Sequence, residues 1–119
     1  MASALHLLIV DDERDFRESL IALLAIEGLQ ASEAASGPDA IAALDGGLRP
    51  DVVLLDQRMP GLTGSQTLEA LRARGLGMPV ILISAANDGA EIAARHRFDA
   101  FVPKPFSTEQ LLERVRTLV

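Results

Sequence analysis

The chain has 119 residues, of which 49% are hydrophobic, and this predicts a single domain spanning residues 1–119 with its own core. It contains no cysteine, which excludes disulfides and zinc–thiolate sites. A net charge of −6, with 11 basic and 17 acidic residues and no Trp or Tyr, argues against nucleic-acid binding by this domain. Residues 1–6 lack the pattern of a signal peptide, and no apolar run approaches the length of a membrane span, so a soluble, cytoplasmic protein is expected.

Three continuous apolar tetrads predict strands that are buried on both faces, as in a parallel sheet. They occupy residues 7–10, 52–55 and 80–83, and weaker strands are expected at residues 29–34 and 100–102.

Helical periodicity predicts a helix after each strand. The first carries Phe16, Leu20, Leu23 and Leu24 and ends near Gly28. The others are predicted over residues 38–44 and 65–74, within residues 88–96, and after Ser107, which begins a capping box. Five alternating βα units predict a doubly wound α/β fold, with helices on both faces of the sheet.

Chemically informative side chains follow the predicted strands. Asp11 and Asp12 follow the first strand, Asp56 the third, Ser84 the fourth and Lys104 the fifth. Each alone has an ordinary explanation, such as a turn, a helix cap or a solvent-facing lysine. Ligands of open parallel sheets bind beyond the carboxyl ends of the strands, so the joint placement favours a common site there.

Clustered carboxylates repel, by on the order of 4 kcal/mol for a pair about 4 Å apart at an effective dielectric constant near 20. A hard divalent cation relieves this repulsion, and oxygen ligands without His or Cys favour Mg²⁺. Lys104 would be a second cation for an incoming phosphoryl group, to which Ser84 would donate a hydrogen bond. A carboxylate in such a site can be the nucleophile and form an aspartyl phosphate.

Three segments, 9–13 (IVDDE), 55–61 (LDQRMPG) and 103–106 (PKPF), closely resemble the signatures of response-regulator receiver domains of two-component systems. The resemblance covers nearly the whole chain and is of the chemotaxis-receiver type. It implies a flavodoxin-like, five-stranded parallel sheet in the order 2-1-3-4-5, with five helices on both faces.

The resemblance implies a role for each matching residue. Asp56 would be the phosphoacceptor and a ligand of Mg²⁺, together with Asp12 directly, Asp11 through water and the main-chain carbonyl of Arg58. The side chain of Arg58 would influence the lifetime of the phosphoryl group, whereas Ala86 is too small to position the hydrolytic water.

The resemblance also implies a switch. Lys104 would pair with the phosphoryl group, and Ser84 would move toward it while Phe101 turns inward. The surface of the fourth helix, fifth strand and fifth helix would then change, and that surface is a candidate site of homodimer formation. An ordinary core position is the alternative interpretation of Phe101.

The resemblance implies a sensor histidine kinase or a phosphotransfer protein as the phosphoryl donor, with small acyl phosphates as substitutes. The output domain or target is not implied. The chain would not be an enzyme beyond its own phosphorylation and dephosphorylation.

The segment 85–98 departs from the pattern of the family. The interval from Ser84 to Lys104 is short, and Arg97 and Phe98 stand where a Gly-Ala pair is common. We therefore expect a shortened or poorly ordered fourth helix that ends differently at Arg97.

Three other functions are alternatives for a fold of this kind. A pseudo-receiver would be a phosphorylation-independent interaction module of the same fold. An aspartate-nucleophile phosphohydrolase would place its nucleophile and general acid two residues apart, whereas Asp11 and Asp12 are adjacent. A flavin-binding protein would have a Ser/Thr/Gly-rich phosphate loop after the first strand, where this chain has acidic residues.

Overall fold

Parallel strands and helices alternate along the whole described chain, which in this computed structural model comprises residues 4–85 and 87–119. The expectations for residues 1–3 and Ala86 lie outside the described residues. The strands are β1 (His6–Val10), β2 (Gln30–Ala34), β3 (Val52–Asp56), β4 (Val80–Ser84) and β5 (Ala100–Pro103). The helices are α1 (Arg14–Ile26), α2 (Gly37–Asp45), α3 (Gly64–Ala73), α4 (Gly89–Arg95) and α5 (Thr108–Leu118).

The described strands form one parallel sheet in the order β2-β1-β3-β4-β5. Strand order reverses between β1 and β3, so the carboxyl ends of these two strands flank the topological switch point. The predicted fold, strand order and five helices are confirmed for the described residues.

Two apolar cores cover the two faces of the sheet, because successive side chains of a strand point to opposite sides. One core joins alternate residues of β1, β3 and β4 to α2, α3 and α4, and the other joins the intervening residues to α1 and α5. The apolar tetrads are fully buried, as their continuous hydrophobicity predicts. None of the described helices has the length and apolar character that crossing a membrane requires.

Side-chain caps fix where several helices begin. The predicted capping box at Ser107 is present: its hydroxyl accepts from the main-chain N–H of Gln110, whose side chain accepts from the N–H of Ser107. Thr63 forms the same reciprocal pair with Gln66 and begins α3. Because Thr63 immediately follows the loop after Asp56, this cap fixes the path of the chain around the candidate site.

The prediction that the fourth helix ends differently at Arg97 is wrong. Arg97 itself adopts the left-handed conformation, with φ at 62°, that a glycine would normally supply. The N–H of Phe98 bonds to the carbonyl of Ala93, as in a Schellman motif. The apolar ring of Phe98 is buried in the core and anchors this turn. As expected, α4 is short, at seven residues.

Candidate functional site

The carboxyl edge of the sheet brings together the charged residues that follow its strands. The carboxylates of Asp11, Asp12 and Asp56 each offer an oxygen within 4.8 Å of the others. The ammonium of Lys104 lies beside two of them. Ser84, the last residue of β4, is buried, and its carbonyl accepts a hydrogen bond from the main-chain N–H of Lys104.

Asp11 and Lys104 form the innermost pair of the site. Lys104 Nζ donates to Asp11 Oδ2 at 2.7 Å, and the carboxylate of Asp11 is fully buried. Asp11 Oδ1 accepts from the main-chain N–H of Glu13 at 2.8 Å. Both carboxylate oxygens of Asp11 therefore have partners, as a buried charge requires. The same ammonium lies 3.9 Å from Asp56 Oδ2.

Asp56 is a buried carboxyl group with a displaced pKa. Burial raises the pKa of Asp56 to about 6, and the nearby Asp11 carboxylate also raises it. The Lys104 ammonium and hydrogen bonds from the N–H groups of Gln57 and Arg58 lower this pKa in part. At neutral pH Asp56 is thus mostly ionised and poorly solvated, a state that an added cation stabilises.

The three carboxylates fit a hard divalent cation. They supply only oxygen ligands, and Asp12 is exposed whereas Asp11 and Asp56 are buried, so the cluster opens to solvent on one side. A partial protein shell of this kind suits Mg²⁺, which retains waters and accepts phosphate oxygens as ligands. The main-chain carbonyl of Arg58 stays a predicted ligand.

The side chain of Arg58 reaches the residue that precedes α4. Its Nη2 lies 3.7 Å from Asp88 Oδ1, immediately before α4, and both side chains are largely exposed. An exposed ion pair of this kind contributes little to stability. The contact nevertheless connects the loop after Asp56 to the start of α4, which is part of the surface expected to change.

Phe101 lies half-buried on β5, at the edge of the core that includes α4. Its ring packs directly on the main chain of Gly89: a Cβ atom at that glycine would lie 2.4 Å from Phe101 Cε1. The absence of a side chain at Gly89 therefore makes room for the ring. The switch role of Phe101 stays a prediction.

Two positioning contacts were missed by the sequence interpretation. Arg17 Nη1 donates to the main-chain carbonyl of Asp11 at 2.7 Å, while its Nε pairs with Glu33 on β2. Gly64 lies so close to the chain that a Cβ atom there would be 2.5 Å from the main-chain oxygen of Asp56. No sequence pattern indicates that Arg17 contacts Asp11. The position of Gly64 in the first turn of α3 can be inferred from the sequence, because a Thr-Gly-Ser-Gln capping sequence spans residues 63–66.

An apolar groove of about 370 Å³ is bordered by Lys104. The groove separates α1 from the connection between β5 and α5. It is lined by Phe16, Ser19, Leu20, Leu23, Ala85, Lys104, Pro105 and Phe106.

A family model of the response regulator receiver domain matches residues 7–116. Among curated proteins, the response regulator MprA of Mycobacterium sp. (strain KMS) is 36% identical over an aligned length of 116, and the match covers 96% of this chain and 50% of that protein. The sensory transduction protein RegX3 of Mycobacterium tuberculosis is 36% identical over an aligned length of 118, and the match covers 94% of this chain and 49% of RegX3. The chain thus spans about half the length of these curated relatives.

Solved structures agree with these matches. The response regulator TrrA of Thermotoga maritima, in complex with Mg²⁺–BeF, superposes with a TM-score of 0.85 at 30% identity, covering 97% of this chain and 99% of TrrA. A receiver domain of Francisella response regulator 1452 superposes with a TM-score of 0.84 at 28% identity, covering 95% and 94% of the two chains. With the family match over residues 7–116, these similarities identify the chain as a member of the response regulator receiver domain family.

Proposed function

We propose that this receiver domain is a phosphorylation-controlled switch whose phosphoacceptor is Asp56. The observation that carries the proposal is the position of the Lys104 ammonium, 2.7 Å from Asp11 Oδ2 and 3.9 Å from Asp56 Oδ2. A cation held between two buried carboxylates is suited to bind the negative charge of a third group. An incoming phosphoryl group carries such a charge.

The metal in this proposal is Mg²⁺, bound directly by Asp12 and Asp56, through water by Asp11, and by the main-chain carbonyl of Arg58. The three carboxylates offer clustered oxygens, and TrrA of Thermotoga maritima was solved with Mg²⁺–BeF. When bound, Mg²⁺ neutralises negative charge on the transferred phosphoryl group.

The chemistry is the transfer of a phosphoryl group from a phosphohistidine to a carboxylate. An oxygen of ionised Asp56 attacks phosphorus, the P–O bond forms, and the P–N bond to the donor imidazole breaks. The imidazole leaves with the bonding electron pair and takes up a proton from solvent. Lys104 binds a phosphoryl oxygen throughout, and the Ser84 hydroxyl donates to another in the phosphorylated state.

The proposed donor is a sensor histidine kinase or a phosphotransfer protein, and small acyl phosphates replace it in vitro. The apolar groove beside Lys104 supports a protein donor, because it offers apolar contact area bordering a residue of the site. Phosphoryl transfer requires such contact to hold the two reacting groups in line.

The proposed output is a change of the surface formed by α4, β5 and α5, in which Ser84 moves toward the phosphoryl group and Phe101 turns inward. The close contact between Phe101 and Gly89 supports this, since movement of the ring must change the packing of α4. The switch is a population shift between two packings, biased by the phosphorylated site. The same surface is the proposed site of homodimer formation.

The test is the intact mass of the protein after brief incubation with Mg²⁺ and acetyl phosphate, with Asp56→Asn as the matched control. We expect a gain of one phosphoryl group that depends on Mg²⁺ and is lost in the variant. Because some receivers do not react with small donors, Mg²⁺-dependent binding of beryllofluoride is measured alongside. If both measurements are negative on the folded protein, the phosphorylation switch is refuted and the pseudo-receiver function takes its place.

A further inference from the structure

We propose that Phe16 is a positioning residue for phosphoryl transfer, holding the ammonium of Lys104 in place through a cation–π contact. The proposal rests on the proposed function and adds a residue to it. Lys104 Nζ lies 4.1 Å from the centroid of the Phe16 ring. This distance is well inside the limit of about 6 Å at which the negative face of an aromatic ring attracts a cation.

The ring covers one side of the ammonium. Lys104 Nζ has the Asp11 carboxylate at 2.7 Å and the Asp56 carboxylate at 3.9 Å, and the Phe16 ring covers a further side. Only 16% of the lysine side chain is exposed. An ammonium carries three N–H donors, and a ring restricts its position without offering a strong hydrogen-bond acceptor. A donor thus stays available for a phosphoryl oxygen.

Lysine benefits from such a restraint because its side chain is long and flexible. Ordering a free lysine side chain costs up to about 2 kcal/mol of rotamer entropy. Phe16 and the carboxylate of Asp11 together restrict that freedom before any ligand arrives. The phosphoryl group then binds a cation that is already in place, which is preorganisation in the sense used for active sites.

The Phe16 ring is itself held by its neighbours. It lies in the first turns of α1 and meets the ring of Phe106 edge to face, with centroids 6.1 Å apart and ring planes at 86°. Phe106 precedes α5, so the two rings join α1 to the connection that carries Lys104. The packing of α1 therefore affects where the ammonium lies.

If Phe16 had a purely structural role, a substitution that fills its volume should leave the binding of beryllofluoride unchanged. Phe16 packs against the core formed with α1 and α5, and leucine would fill much of that volume without a π-face. Phe16→Leu therefore separates packing from the cation–π contact, and Phe16→Tyr restores the π-face. Ile26→Leu is the matched control, on the same helix at a side chain that is 79% exposed.

The experiment is a titration of each protein with beryllofluoride in saturating Mg²⁺, followed by NMR and calorimetry, with urea unfolding of each variant. Beryllofluoride needs no protein donor, so any loss of donor docking is excluded. We expect Phe16→Leu to raise the apparent Kd about three- to tenfold. Phe16→Tyr and Ile26→Leu should remain within about twofold of the parent protein, within the scatter expected of neutral changes.

A second readout reports the contact itself. In the parent protein and Phe16→Tyr, the ring current should shift the ε-methylene protons of Lys104 upfield, and Phe16→Leu should remove that shift. Equal Kd values for Phe16→Leu and the parent protein would overturn the proposal, as would an equal loss in Phe16→Tyr. If the parent protein shows neither Mg²⁺-dependent binding of beryllofluoride nor a phosphoryl gain from acetyl phosphate, the proposed function fails and this role fails with it. Parent binding without a Phe16 effect refutes the positioning role alone.

Discussion

The ammonium of Lys104 and the carboxylate of Asp11 lie 2.7 Å apart although 93 positions separate them in the chain. The pair joins the ends of β1 and β5, which are not neighbours in the sheet. It therefore exists only when β3 and β4 are in place between them. In the proposed chemistry Lys104 also binds the phosphoryl group. The contact between Asp11 and Lys104 therefore belongs both to the folded structure and to the candidate site.

Lys104→Met should destabilise the protein, because it leaves the fully buried carboxylate of Asp11 without its cation. Removal of one partner of a buried ion pair typically costs 3–5 kcal/mol, and we expect about 3 kcal/mol here since Lys104 is partly exposed. The measurement is urea unfolding with a chelator present. Asp11→Asn combined with Lys104→Met should recover part of the loss, and full stability of the single variant would contradict the prediction.

Asp56→Asn should stabilise the cation-free protein at neutral pH. The pKa of Asp56 is raised to about 6 in the folded state from an ordinary 3.8. The folded state thus binds the proton more tightly, so this group favours folding most below pH 4 and that contribution is lost as pH rises through 6. Asparagine does not ionise, so Asp56→Asn loses no stability through this group as pH rises. Its free energy of unfolding relative to the parent protein should therefore increase by about 2–3 kcal/mol between pH 4 and pH 7.5.

The measurement for Asp56 is the free energy of unfolding of both proteins across that pH range, with a chelator. Repeating it with Mg²⁺ provides the control, because a bound cation stabilises the ionised carboxylate and should reduce the advantage of Asp56→Asn. A stability difference that does not vary with pH would show that the pKa of Asp56 is not raised.

Arg97→Gly should stabilise the protein by about 0.5–1 kcal/mol. Arg97 has a φ of 62°, which costs a residue with a Cβ atom about 1–2 kcal/mol and costs glycine little; the greater freedom of glycine in the unfolded chain offsets part of the gain. Thermal unfolding is the measurement. Arg95→Gly is the matched control, since it places glycine at the last helical residue of α4 and should instead destabilise by about 1 kcal/mol.

The sequence predicts those features that depend on one strand or one turn. Continuous apolar tetrads predict three of the strands. Because parallel strands end at one edge of the sheet, the positions of Asp11, Asp56 and Lys104 after their strands predict that these residues converge. The contact of Phe16 with Lys104 was not predictable, since it depends on the angle at which α1 packs. Arg97 was misjudged because the core packing of Phe98 outweighs the local preference for glycine.

Gly89 and Phe101 should be energetically coupled, because a Cβ atom at Gly89 would lie 2.4 Å from the ring. Gly89→Ala forces the ring or the start of α4 to move, and overpacking of this kind costs typically 1–3 kcal/mol. Once Phe101→Leu has removed the ring, the same alanine should be tolerated and should favour the helix, in which alanine is preferred to glycine.

The measurement is a double-mutant cycle in urea unfolding of Gly89→Ala, Phe101→Leu and the double variant. We expect a coupling energy of at least about 1 kcal/mol, with the double variant more stable than the sum of the single effects. Additive effects would show that the ring moves away without cost. The beryllofluoride Kd of Gly89→Ala links this contact to the switch: if Phe101 turns upon phosphorylation, displacing its ring must change that Kd, whereas a core ring that never moves would leave it unaltered.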